Sequence, residues 1–221
     1  MTKGERPAVP AHERLRVGLL LAFVGGFLEV YTYTLHGKVF ANAQTGNMAL
    51  FAIYAMQRDR QALYYLVPLG AFLAGVLVSE GLRTVLDKRG WARWEHALVL
   101  AEAALLAAIA FLPAGVPDAA VNVTVSFVCA VQFTGFRKTH GMAYATTFCT
   151  GNLRSAGEHL YHAVAGRDRG EALAAACYFG VILVFILGAC CAMALIALWG
   201  AKAILLCSAL CLAAFALMKW G

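Results

Sequence analysis

The chain has 221 residues, of which 62% are hydrophobic and only 14% charged, with a mean hydropathy of +0.71 and a formal net charge of +6. Soluble domains carry roughly 25% charged residues, so this composition excludes a soluble protein and describes an integral membrane protein in contact with the lipid bilayer. Apolar runs of about 18–25 residues suit helices rather than a β-barrel, and the chain length leaves room for one compact bundle without a separate soluble domain. The excess positive charge fits cytoplasmic loops. No aromatic–basic interleaving points to nucleic acid.

In chain order, residues 1–16 form a polar tail carrying Lys3, Arg6, Arg14 and Arg16. The apolar stretch that follows is longer than a signal-peptide core and lacks a small-x-small cleavage site, so it reads as an uncleaved first helix. Apolar segments then fall near 17–36, 42–57, 62–83, 95–112, 118–136, 143–164, 171–198 and 201–219. The seven cysteines, Cys129, Cys149, Cys177, Cys190, Cys191, Cys207 and Cys211, all lie in apolar stretches of the second half without CxxC spacing, as packing residues do.

Thr45-Gly46-Asn47 and Thr150-Gly151-Asn152 are the same tripeptide, each inside an otherwise apolar segment. Around them, His36-Gly37-x-x-Phe40-Ala41 corresponds to His140-Gly141-x-x-Tyr144-Ala145. Arg58-Asp59-Arg60 corresponds to Arg167-Asp168-Arg169, and Leu69-Gly70 to Phe179-Gly180. An ordered series of this kind indicates duplication, with repeat A over 17–113 and repeat B over 118–221.

Loop charge chooses between topologies. If all eight segments cross, Lys and Arg divide evenly between the two sides. If 42–57 and 143–164 enter and return, only Lys38, Arg58, Arg60 and Lys202 remain outside, as the positive-inside rule requires. Pro113–Pro117, with no basic residue, then becomes an outside loop. The expected fold is an all-α polytopic membrane helix bundle. It has about six transmembrane helices plus two re-entrant half-helices, in an inverted two-fold internal repeat, with both termini cytoplasmic.

In this arrangement the two tripeptides approach each other near the midplane. Thr or Asn can cap a following helix, and Gly permits a tight turn. A half-helix that starts at mid-membrane presents free N–H groups and a partial positive charge to an anion, a carboxylate or a carbonyl. The plainer reading is a packing kink between crossing helices. Glu29 and Arg154 are ionisable residues at similar depth, where a lone charge costs several kcal/mol. Their pairing reads either as a gate beside a substrate site or as an ion pair that locks the halves together. Glu102 is a further acid, inside the fourth apolar segment. Glu158, His159 and His162 raise a metal reading, but repeat A has no counterpart, and no metal or cofactor is expected. His36 and His140 suit helix-end caps. There is no GxSxG, HExxH, Rossmann glycine fingerprint or phosphate loop, and Ser79, Ser126 and Ser208 are isolated, so an enzyme is not expected.

Gly25-Gly26-Phe27-Leu28-Glu29, Phe40-Ala41-x-x-x-Thr45-Gly46-Asn47, Gln132 and Thr147-x-x-Thr150-Gly151-Asn152 resemble the YoaK-type family of small bacterial membrane proteins, a domain of unknown function. The resemblance runs from Val17 to Met218 and implies a bacterial inner-membrane protein with about six membrane helices. Similar sequences usually carry Asp where this chain has Glu29. The expected function is a small-solute or ion transporter or channel for a small polar or anionic solute. Thr45, Gly46, Asn47, Thr150, Gly151, Asn152 and Gln132 would line the site, with Glu29 and Arg154 as its charged pair. A second copy in a homodimer is expected. The alternatives are a non-transporting partner or assembly protein with a structural repeat, and a metal- or thiol-dependent membrane enzyme.

Overall fold

A computed structural model describes residues 10–88, 94–113, 115–139, 142–144, 146 and 149–220. The class is all-α. The helices are α1 (Leu15–Leu35), α2 (Gln44–Met56), α3 (Ala62–Lys88), α4 (Trp94–Ile109), α5 (Asp118–Gly135), α6 (Cys149–Gly166), α7 (Arg169–Trp199) and α8 (Leu205–Trp220). Short 3-10 turns precede α1 (Ala11–Glu13) and α8 (Gly200–Ile204). Between α5 and α6 the strands β1 (Lys138–Thr139) and β2 (Met142–Ala143) pair antiparallel, with Lys138 opposite Ala143 and Thr139 opposite Met142.

Three stretches are long and apolar enough to cross a membrane: Leu15–Leu35, Ala62–Leu86 and the continuous run Arg169–Trp220. The surface agrees. Leu63, Leu73 and Leu77 on α3 and Leu173, Leu183, Ile186 and Leu187 on α7 are all exposed. Contiguous apolar surface on this scale is unfavourable in water and neutral in lipid. α1 is the most enclosed of the three stretches, and its Val17, Leu21, Val24, Phe27, Leu28 and Tyr31 are fully buried in the main core with residues of α4, α5 and α8.

Contacts fix the helix directions. α1 packs along α7: Ala22 clusters with Tyr178 and Val181, Thr34 meets Met193, and the Tyr31 hydroxyl donates to the Ala201 carbonyl at 3.0 Å. The two helices are therefore parallel. α3 packs along α5, with Phe72 near Phe133 and Glu80 paired with Arg137, so these are parallel too. α4 and α8 are antiparallel, since His96 meets Phe215 while the Ser208 hydroxyl donates to the Ala103 carbonyl. α1 and α5 run opposite ways. Gln132 donates to the Leu21 carbonyl at 3.1 Å, and Asn122 donates to the His36 carbonyl at 2.9 Å. One end of the bundle, the near end, gathers the start of α1 and the ends of α3 and α5. The far end gathers the end of α1 and the start of α5.

Several local structures occur twice. Arg58 and Arg167 both adopt positive φ (56° and 52°). The Asp after each accepts from the amide two residues on: Asp59 from Gln61 at 2.9 Å and Asp168 from Gly170 at 2.7 Å. Each turn thus ends a short helix (α2, α6) and starts a long one (α3, α7), and in both cases the short helix packs on the long one. The close helix crossings match as well. A Cβ on Gly188 would strike the Phe23 carbonyl, and a Cβ on Gly75 would lie 2.8 Å from the Phe127 carbonyl. Small residues are needed at these points because the helix backbones touch.

Candidate functional site

After α1 ends at Leu35, the chain turns through Gly37 (φ 75°) and Lys38 (φ 60°) and re-enters the bundle. Val39, Ala41 and Asn42 are fully buried. The descent stops at Glu29. The Asn42 amide donates to Glu29 Oε2 at 2.7 Å, and the Ala43 amide donates to Oε1 at 3.1 Å. The Asn42 side chain donates to the Gly25 carbonyl at 2.9 Å. α2 then leaves from this depth. Its Gln44 and Thr45 line a groove with Phe72, Leu73 and Val76, and its Tyr54 stacks on Tyr65 near the start of α3.

The carboxylate of Glu29 performs the task expected of an N-terminal cap. The first amides of a helix lack partners within it, and the helix dipole favours negative charge there. Ala43, the residue at the cap position, has no polar side chain, so the acid comes from α1 instead.

The tripeptide lies in the first turn of α2 and not ahead of it, which corrects the expected cap. Asn47 turns back and holds the descending strand. Its Oδ1 accepts from the Phe40 amide at 3.0 Å, and its Nδ2 donates to the Phe40 carbonyl at 2.8 Å and to Gln44 Oε1 at 3.0 Å. Gly46 makes room for Phe40, whose ring a Cβ would approach to 2.8 Å. Thr45 faces outward.

The second tripeptide takes the same position at the start of α6. Asn152 is buried, while Thr150 and Gly151 are exposed. Only the asparagine of each triplet faces the interior, because Thr and Asn two places apart differ by about 200° around a helix. Gly141, Ala145 and Thr147 of this half, and His140, lie outside the described residues. The start of α6, at Cys149, nevertheless lies on the side of the bundle where Glu29 sits.

Arg154 does not meet Glu29. It is exposed and pairs with Glu158 one turn along, at 2.8 Å. The reason is geometric: Arg154 follows Asn152 by two positions, so an inward Asn152 sends it outward. Gln132 lies inside, 1% exposed, on the carbonyl of Leu21. His159 pairs with Glu171 at 2.7 Å and stacks on Tyr178. No group of three metal-ligating side chains occurs among the described residues.

Sequence reasoning missed Asn42, Gln44 and the His36–Asp118 pair. The first two were visible as a polar run from Asn42 to Asn47 inside an apolar stretch. The third joins residues 82 apart, with no sequence signal.

A family model described as a protein of unknown function, DUF1275, matches residues 17–217. The chain belongs to this family. The match spans Glu29, both tripeptides and Gln132, and agrees with the YoaK-type resemblance. No curated protein matches the chain, and no solved structure matches it.

Proposed function

We propose that this DUF1275 protein is a small-solute or ion transporter or channel of the bacterial inner membrane. It would have six crossings, two re-entrant half-helices in an inverted repeat, and cytoplasmic termini. One observation carries the reading: Asn42 and Ala43 reach the depth of Glu29 in mid-α1, and their amides close on its carboxylate. Backbone that leaves helix geometry inside the hydrocarbon region is tolerated where it is buried in protein or lines a pathway. Broken helices paired by an inverted repeat are the usual form of such sites in transporters. The helix directions support the arrangement, with α1, α4 and α7 one way and α3, α5 and α8 the other. Repeat A then maps onto repeat B upside down, and the α1–α7 and α3–α5 pairs exchange.

The proposed site is bounded by Glu29, Asn42, Asn47, Asn152 and Gln132, and Thr45 faces the groove beside α3. Arg154 drops out of the charged pair and becomes a surface residue of α6. A homodimer is proposed as the assembly, because so small a bundle gains stability and pathway length from a second copy.

Two measurements test the reading. A Gln61→Cys variant in a cysteine-free background should label with an impermeant thiol reagent on intact cells. Labelling only after the cells are opened would remove the re-entrant topology. Vesicles reconstituted with the protein should show flux of a small carboxylate or inorganic anion that falls in Glu29→Ala and Asn47→Ala. No flux across such a panel would favour the reading as a structural membrane partner.

A further inference from the structure

Glu29 lies in α1 and His36 is its C-cap, seven residues and about 10 Å further along the axis. Opposite them runs a buried polar stripe on the antiparallel α5: Asn122 (1% exposed), Ser126 (0%) and Cys129 (0%). Asn122 is level with His36, to whose carbonyl it donates. Cys129 lies two turns further along α5, toward Gln132 and the near end. Ser126 falls between them.

His36 is bonded on one side only. Its Nδ1 lies 2.8 Å from Asp118 Oδ1, and the Asp118 side chain is 44% exposed at the far end. Its Nε2 is buried without a protein partner, as are Asn122 Oδ1, Ser126 Oγ and Asn42 Oδ1. Buried polar atoms are rarely left without a partner, and in polar interiors ordered water supplies it.

We propose that Asp118, His36 and Ser126 form a proton path from the far face of the membrane to Glu29. A proton entering on Asp118 passes to His36 Nδ1 and makes the imidazolium. The Nε2 proton then leaves inward along Asn122 and Ser126, through water those groups order, and ends on a Glu29 oxygen. The transfer leaves His36 as the neutral Nδ1–H tautomer, donating to the Asp118 carboxylate. One proton moves inward and nothing else is consumed. Other titratable groups near the path are the Cys129 thiol on α5, Glu102 on α4, which packs against α5, Cys149 on α6, Cys207 on α8, Tyr31 beside His36, and Lys38 over the Tyr33 ring.

Protonation of Glu29 also bears on the half-helix. A neutral acid holds the Asn42 and Ala43 amides less strongly than a carboxylate, so the proton would loosen the re-entrant strand. The path has no equivalent in the second half: by the repeat register, Phe133 stands where Glu29 would and Arg14 where Asp118 would.

The path deepens the transport reading by naming the coupling ion, but its test needs no solute. Protein in phosphatidylethanolamine–phosphatidylglycerol vesicles is given a rapid acid step and followed by infrared difference spectroscopy. A carboxyl C=O band should appear in the wild type and be missing in Glu29→Gln. It should form at least tenfold more slowly in His36→Ala and Ser126→Ala, and at the wild-type rate in Glu158→Gln. Should His36→Ala fail to fold, Asp118→Asn, which keeps the shape of an exposed side chain, should show the same slowing. A Glu29 band with the wild-type rate in these variants, or no Glu29 band at all, overturns the path. A His36-dependent band without solute flux would refute transport and leave the path standing; flux with an unaltered band would do the reverse.

Discussion

Glu29→Ala is the most informative single change. The wild-type carboxylate accepts two backbone amides, at 2.7 and 3.1 Å, from a strand that has left helix geometry inside the bundle. A hydrogen bond to a charged group contributes about 1.5–3 kcal/mol, so losing both removes about 3–6 kcal/mol and strands two buried donors. Glu29→Gln keeps one acceptor and turns an N–H₂ toward the other amide, which costs about half as much on the same scale. For a protein of this size each kcal/mol shifts the melting temperature by about 2–4 °C. The expected order is wild type, then Glu29→Gln lower by roughly 3–12 °C, then Glu29→Ala lower by roughly 6–24 °C. Melting in detergent measures the order. A second readout reports the strand itself. Val39 is fully buried in the descending segment, so a Val39→Cys probe should react with a thiol reagent much faster when Glu29 is Ala. If both Glu29 variants melt within 2 °C or so of the wild type and the probe stays protected, the carboxylate does not hold the strand, and the account of the site is wrong.

Other predictions follow from the same contacts. Gly26→Ala and Gly188→Ala place a Cβ against the carbonyls of Phe185 and Phe23 across the α1–α7 crossing. Each should cost about 1–3 kcal/mol or more, as overpacking does, while Gly180→Ala, which meets nothing, should be neutral; equal melting temperatures would show that the helices separate freely. Asp59→Ala and Asp168→Ala remove matching side chain–backbone bonds from the two turns, the second of which caps α7, so denaturation should register losses of about 1 kcal/mol each. Only a large difference between them would argue against equivalent halves. Arg154→Ala breaks an exposed pair with Glu158 and should change stability by about 0.5 kcal/mol or less, leaving any flux intact. Loss of flux in that variant would return Arg154 to the site.

Class and punctuation were readable from the residues before any fold was known. Composition dictated helices in lipid, because a chain so poor in charge has no other stable solvent. The Arg-Asp-Arg triplets were legible as a repeat, and the matching positive-φ turns they make are local chemistry that needs no partner far along the chain. The Thr45-Gly46-Asn47 tripeptide marked an interruption, though Asn42 and Gln44 beside it went unread. Tertiary structure alone decided what met what. Glu29 found two backbone amides from its own half, since free amides at a helix start are nearer and cheaper partners than a distant guanidinium. Arg154 turned away because the helix phase that buries Asn152 exposes the residue two places on. The His36–Asp118 pair and the stripe on α5 depended on the antiparallel approach of α1 and α5, a relation between helices that no local pattern encodes.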